Sequence, residues 1–321
     1  MLRIKLNNQF PWWDWLRQTP GHSGIWKDMQ FHVNSDNISE CDFFVVMGGL
    51  SKTEKIVCPK ENTIFIALEN KEIGPYSQAF LDQFGYILTH RDDIAHPRII
   101  KTIFPAYWFI GIDIYEGRTA SDKSYDFLKN NDFSDSKQKL ISVISSSKIV
   151  VEGHKKRLDF IELLKNEFGS QLDVFGRGVQ NFVDKWDVLS PYQYHIVLEN
   201  SSFDDEITEK LYDSFLAQCY SFYYGAKNAS DYFNTNSFSQ IDINDPEQAV
   251  KIIRSAIAND LFTRNKPYIN ASKDAVLDKY NLFNILLDKI APLRSNNLKS
   301  VAQTFYPEDL VLKTLCCSDI H

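Results

Sequence analysis

Cysteine is scarce and unpatterned. Cys41, Cys58, Cys219, Cys316 and Cys317 are odd in number and irregularly spaced, and no CxxC occurs. That argues against a disulfide framework or a cysteine-based zinc site and points to reduced thiols in a cytosolic setting. No run of about eighteen apolar residues is present to span a bilayer. The opening LRIKLNNQFPWWDW lacks the apolar core of a signal peptide. Basic charge is not in excess either: 35 Lys and Arg against 42 Asp and Glu leave a net charge of −7. A broad nucleic-acid or anionic-membrane footprint is therefore not expected, although a small basic pocket remains compatible. Internal repeats and low-complexity tracts are also missing.

What is present is an ordinary soluble composition, 44% hydrophobic and 24% charged, in 321 residues. That length accommodates two domains, each with its own core. Short apolar runs separated by helix-sized stretches predict an α/β fold. In the first part the runs are 42–47, ending at Gly48-Gly49, then 63–68, ending at Glu69-Asn70, and 86–89. Arg91-Asp92-Asp93-Ile94 reads as a helix start. Residues 118–139 are rich in Ser, Asp, Lys and Asn and read as a linker. Beyond them the alternation is regular. Strands are expected at 140–144, 172–175, 195–198, 220–224 and 238–243, with helices at 152–168 and 207–217. A further helix starts at Asp245, with Pro246 in its first turn and Gln248 in the capping-box place. This order predicts a doubly wound parallel sheet. The domain reading is 1–117, a linker at 118–139, a second domain at 140–300, and a tail at 301–321 that packs back on the first.

The most informative run is YHIVLENSSFDDEITEKLYDSF, Tyr194 to Phe215. It reads as a buried strand, a polar loop opening with Glu199-Asn200-Ser201-Ser202, and a helix beginning near Thr208-Glu209-Lys210. Carboxylates, an amide, hydroxyls and an ammonium are thereby aimed at the crevice beyond a strand's C-terminal end. A helix N-terminus there favours phosphate, and Lys210 adds a full charge.

This run resembles the signature of the family 10 glycosyltransferases, the α-1,3/α-1,4-fucosyltransferases: F-E-N-S, a short polar loop, then Y-[IV]-T-E-K. Here it stands as Leu198-Glu199-Asn200-Ser201 and Glu206-Ile207-Thr208-Glu209-Lys210. The resemblance runs from about Leu140 to Phe262 and is weak before that. It implies a GT-B architecture, two Rossmann-like domains facing a central cleft, with 1–117 binding the acceptor and 140–300 the nucleotide-sugar donor. It also implies an inverting transfer of L-fucose from GDP-fucose to a glycan or glycolipid hydroxyl, such as a lipopolysaccharide or capsule precursor. Lys210 and Arg157 would then hold the diphosphate, Glu209 ribose or sugar hydroxyls, and Asn200 the donor. Thr208, capping the helix beside them, and Glu206 would also belong to the donor-binding set. The turn of Gly176 and Arg177, together with Ser146, would form a donor loop, or that turn serves only to close a strand. Glu69 would be the general base, with Glu72 the alternative.

Each of these has a plainer reading. Lys210 could pair with Glu206 or Asp213 on a solvated helix, and Arg157 could belong to an exposed basic run. Glu69 could be a surface glutamate, and the Trp12, Trp13, Trp15 cluster simple packing. His195 reads as a satisfied core residue. Glu206 departs from the family's aromatic at that place, which leaves another nucleotide sugar, or a non-catalytic glycan- or nucleotide-binding protein, as the alternatives. No metal or other cofactor is expected, and no nucleic-acid partner. A cytoplasmic, bacterial setting is expected, with peripheral contact at the inner membrane left open.

Overall fold

The computed structural model describes residues 1–9, 13–68, 74–145, 152–295 and 297–312. The chain divides into two compact units: Met1–Pro105 with the described residues from Leu282 on, and Ala106–Asn281.

The first unit is wound on a seven-stranded sheet. Its strands are β1 (Leu2–Asn8), β2 (Ile25–Trp26), β3 (Met29–Val33), β4 (Phe43–Met47), β6 (Thr63–Ile66), β7 (Tyr86–Thr89) and β8 (Ile99–Lys101), in the order β2-β3-β1-β4-β6-β7-β8. All neighbours are parallel except the short β2–β3 pair. β5 (Glu54–Pro59) lies outside this sheet. The apolar runs at 42–47 and 63–68 lie on β4 and β6, whose residues are all buried. A sheet covered on both faces makes its strands continuously apolar instead of alternating. β1 does not read that way, because its inner positions include Lys5, Asn7 and Asn8. Lys5 is accommodated by an ion pair with Glu54, 3.0 Å away and equally buried. A helical turn, α1 (Gln78–Leu81), packs Phe80 edge-on against Phe65. The helix start expected at Arg91 does not form. Arg91 closes on Asp93 at 2.7 Å instead, and Lys101 takes Asp92.

The second unit begins before the expected boundary. Residues 118–139 are part of it and not a linker. They carry the helix α2 (Tyr125–Asn130), capped by Ser124, with Leu128 fully buried. Lys129 bridges Asp274 and Asp278, both at 2.8 Å, and Phe127 and Phe133 stack on each other against Trp186. The polar residues that suggested a loop are committed to caps and ion pairs. Five parallel strands follow: β9 (Lys139–Ile144), β10 (Leu172–Phe175), β11 (Tyr192–Leu198), β12 (Tyr220–Tyr224) and β13 (Phe238–Gln240), in the order β10-β9-β11-β12-β13. The helices are α3 (Glu152–Phe168), α4 (Lys185–Leu189), α5 (Glu209–Leu216), α6 (Pro246–Ala258), α7 (Leu261–Arg264) and α8 (Lys266–Asp274). α6 starts as the sequence indicates: Asp245 accepts from the Gln248 N–H. One core cluster joins Ile141, Val143 and Ile196 to Ile161 and Leu164 of α3 and Ile253 of α6.

At Leu282 the chain returns to the first unit, earlier than the boundary at 300. α9 (Leu282–Ile290) buries most of its length there, with Phe283 edge-on to Phe31. β14 (Ser300–Phe305) then pairs antiparallel with β5, and Phe305 stacks on Phe84. Two α/β units result, the second on a wholly parallel sheet and the first on a sheet parallel but for its edge strand β2. No helix among the described residues is long and apolar enough to cross a membrane.

Candidate donor site

In the second sheet β9 has β10 on one side and β11 on the other, and later strands add beyond β11. The connections from β9 and β11 therefore leave in opposite directions and open a crevice at the strands' C-terminal ends. A cavity of about 320 Å³ lies there, lined by Ile144 and Ser145 from the end of β9, His195 to Leu198 of β11, and Asn200 just beyond. Helices supply the charge: Arg157 from α3, Lys185 from α4, and Glu209, Lys210 and Asp213 from α5.

The loop between β11 and α5 is organised by Glu199. Its side chain is 2% exposed. It accepts from the Thr208 N–H at 3.1 Å, the Thr208 hydroxyl at 2.8 Å and the Lys210 ammonium at 3.0 Å. Thr208 caps α5, its hydroxyl accepting from the Lys210 N–H. Lys210 pairs neither with Glu206 nor with Asp213 but with Glu199 and, at 3.5 Å, Glu209. Burial opposes the ammonium, yet the two carboxylates outweigh it and hold its pKa above the usual lysine value. The side chain keeps 28% of its surface exposed, so the charge still reaches the cavity.

Arg157 is buried, not part of an exposed run. Burial lowers its pKa, and the guanidinium remains charged across the ordinary pH range. Its Nη1 donates to Asn200 Oδ1 at 2.8 Å, while its buried Nε has no hydrogen-bond partner. Lys185 is the third cation. It donates to Asp213 at 2.7 Å, lies 3.5 Å from Glu209 and sits over the Phe109 ring. Burial pushes the Asp213 carboxyl up against the pull of Lys185, and it also accepts from the Phe109 and Ile110 N–H groups. Burial likewise opposes Glu209, but Lys210 and Lys185 prevail and bring it down to about 2. Three cations thus face a polar crevice at the N-terminus of α5, a setting that stabilises a polyanion such as a diphosphate.

The structure brings Arg157, Asn200, Glu209 and Lys210 to one cavity. Of the rest of the expected set, those that are described do not line it. Thr208 turns to Glu199, and Glu206 accepts from the Ser201 hydroxyl at 3.1 Å within the loop. Gly176 closes β10 against Ser145, and Arg177 is exposed over Tyr115. Ser146, Glu69, Glu72 and Trp12 lie outside the described residues. Of the other tryptophans, Trp15 is buried in the first unit. Lys185, Asp213 and Glu199 were not among the expected site residues. Lys185 and Asp213 stand 28 residues apart, so no local spacing announces them.

His195 is buried, bonded to Ser142 Oγ at 2.8 Å, and lines the cavity floor. Burial and then Lys185 press its pKa down from 6.5 to about 3. The folded state thus holds a neutral imidazole, while the unfolded chain takes up a proton below 6.5. The stability it confers is complete above pH 6.5 and is lost as pH falls towards 3, by up to on the order of 4 kcal/mol. Urea midpoints measured from pH 7.5 down to 4.5 are expected to fall less in His195→Gln than in the unsubstituted chain. Parallel curves for the two proteins refute this assignment.

Comparison with known proteins adds the family. Residues 134–261 match the model of glycosyltransferase family 10 (fucosyltransferase), C-terminal part. The matched part of the chain is that of a family 10 glycosyltransferase. The match spans β9 to β13 and every side chain named at the cavity; residues 1–133 and 262–321 lie outside it. Solved structures that the chain resembles include an α1,3-fucosyltransferase, at 15% identity over 93% of each chain with a TM-score of 0.48. An α1,3-fucosyltransferase with GDP-fucose shares 16% identity over 98% of this chain and 89% of its own, with a TM-score of 0.45. A DNA-modifying β-glucosyltransferase shares 8% over 90% of this chain and 100% of its own, with a TM-score of 0.49. No curated protein matches the chain.

Proposed function

We propose that the chain moves L-fucose from GDP-fucose to a hydroxyl of a glycan or glycolipid acceptor, with inversion and without a required metal, at the cytoplasmic side. The observation that carries this is the convergence of Arg157, Lys185 and Lys210 on one switch-point cavity inside the family 10 match. In the reaction the acceptor oxygen attacks the anomeric carbon as the bond from that carbon to the phosphate oxygen breaks. The acceptor proton passes to the carboxylate of Glu69, and GDP leaves. Charge builds on the departing diphosphate. Cations already in place stabilise it without reorganising, which supports the reading that these side chains serve where a divalent ion otherwise would. Asn200 holds the Arg157 fork in orientation, and Glu209, ionised between two lysines, accepts hydroxyls of the donor.

Glu206 bears on the sugar. Being engaged with Ser201, it leaves the place of the family's aromatic without a ring, so the donor sugar meets a different wall. The test is calorimetric binding of GDP, UDP, ADP and CMP, with and without magnesium, followed by GDP-fucose consumption. GDP is expected to bind selectively and without the ion. Preference for another nucleotide replaces fucose as the donor, a need for magnesium removes the metal-free mechanism, and absence of any nucleotide binding overturns the proposal.

A further inference from the structure

The first unit has a switch point of its own. β1 has β3 on one side and β4 on the other, and β6, β7 and β8 add beyond β4. Apart from the antiparallel edge strand β2, this is the strand order of the second unit with one more parallel strand, so a crevice is expected where β1 and β4 end. A cavity of about 220 Å³ occurs there. It is lined by Asn7 and Asn8 at the end of β1, Asn34 and Asp36 after β3, Lys52 after β4, and Glu54 at the start of β5.

Two polar groups in that lining lack partners. Asn7 is 6% exposed, and its Oδ1 is buried without a hydrogen bond. The Nδ2 of Asn34 is in the same condition, although its Oδ1 accepts from the Asn8 N–H at 2.9 Å. Leaving such a group unpaired costs about 1–3 kcal/mol, and folded proteins tolerate few of them. One acceptor and one donor are therefore held ready at one cavity.

The charges there are already balanced. Lys5, on the same face of β1 as Asn7, holds Glu54 at 3.0 Å, and Lys52 holds Asp36 at 2.6 Å. Each cation there is held by a carboxylate, and the described lining has no further cation on a neutral partner like Arg157 on Asn200 in the donor cavity, so an anion finds no net attraction. The volume lies below the roughly 300 Å³ at which drug-sized pockets begin. The chemistry that fits is small, neutral and rich in hydroxyls that both donate and accept.

We propose that this cavity binds a single neutral sugar ring, and that the ring is a residue of the acceptor glycan; the second half rests on the transferase function proposed above. A ring hydroxyl donates to Asn7 Oδ1, and a ring oxygen accepts from Asn34 Nδ2. β1, β4 and β6 are successive neighbours in the sheet, and Glu69 follows β6 in the sequence. The cavity then lies at the edge of the sheet where β6, the strand that precedes Glu69 in the sequence, also ends.

The test is side-chain amide NMR on the full chain, titrated with methyl β-galactopyranoside, methyl N-acetyl-β-glucosaminide and methyl α-mannopyranoside. At least one is expected to shift the Asn7 and Asn34 amides at millimolar concentration. The Asn34 shift should weaken at least tenfold in Asn7→Leu, which removes the buried amide at similar volume. Asn34→Gly, which suits the φ of +48° there, should weaken the Asn7 shift likewise. GDP affinity should stay unchanged in both. No shift with any of the three glycosides overturns the proposal, as does an equal response in wild type and variants. If the sugar response appears but GDP fails to bind the wild type, the transferase reading falls while the sugar site stands.

Discussion

Lys210→Met is expected to weaken GDP binding by about 3 kcal/mol, roughly a hundredfold, without unfolding the second unit. Methionine keeps most of the aliphatic length and removes only the charge. Two losses follow. The diphosphate loses a cation, and Glu199 keeps its buried position without the ammonium that neutralises it. The fold survives because Glu199 still accepts both hydrogen bonds from Thr208. Adding Glu199→Gln separates the two losses. It removes the stranded charge, so the double variant should recover urea stability while GDP binding remains weak. Calorimetry and denaturation on the same three proteins check this. Wild-type GDP affinity in Lys210→Met overturns the assignment of Lys210 to the diphosphate.

Gly176→Ala is expected to cost about 4 kcal/mol or more of stability, enough to leave much of the second unit unfolded at physiological temperature. A Cβ at this position falls 1.8 Å from the carbonyl oxygen of Ser145, which is backbone and cannot swing aside. The φ of +139° adds strain of its own, since only glycine occupies that region comfortably. The clash lies where β9 and β10 end, and Ser145 lines the cavity. Any protein that does fold must splay those strands and lose donor affinity as well. Gly169→Ala is the control. Its φ of +51° is also left-handed, but nothing lies within 4 Å, so only about 1 kcal/mol is expected. Equal melting points for the two variants refute the steric argument.

The second unit was far more legible from sequence than the first, for a physical reason. Its strands are buried on both faces, and a run such as His195-Ile196-Val197-Leu198 announces itself by apolarity alone. β1 does the same job at the heart of the other sheet but reads Leu-Arg-Ile-Lys-Leu-Asn-Asn. Of its polar residues, Lys5 is paired with Glu54 from 49 residues away while Asn7 keeps a buried Oδ1 without a hydrogen bond, and composition carries no sign of either. Residues 118–139 misled in the same way: Lys129 and its aspartates are 145 and 149 residues apart. At the cavity, Asn200, Glu209 and Lys210 were legible through the motif, and Arg157 through the family resemblance that runs from about Leu140. Lys185 was not, because it sits on a five-residue helix with no periodic pattern and acts through Asp213.

The clasp of β14 on β5 also sets an order of assembly during translation. Residues 106–281 hold a complete sheet and core and can fold as soon as they clear the ribosome. The first unit, although made first, lacks α9 and β14 until residue 305 has emerged. At about 5–20 residues per second the intervening 200 residues take about 10–40 s. Throughout that interval β5 is without the strand that pairs along its length, and Ile56, Cys58 and the rings around Phe84 lack the Phe305 that finally covers them. The nascent chain is therefore most exposed to chaperones, and to mispairing with its neighbours on a polysome, in the part of the sequence that was synthesised earliest.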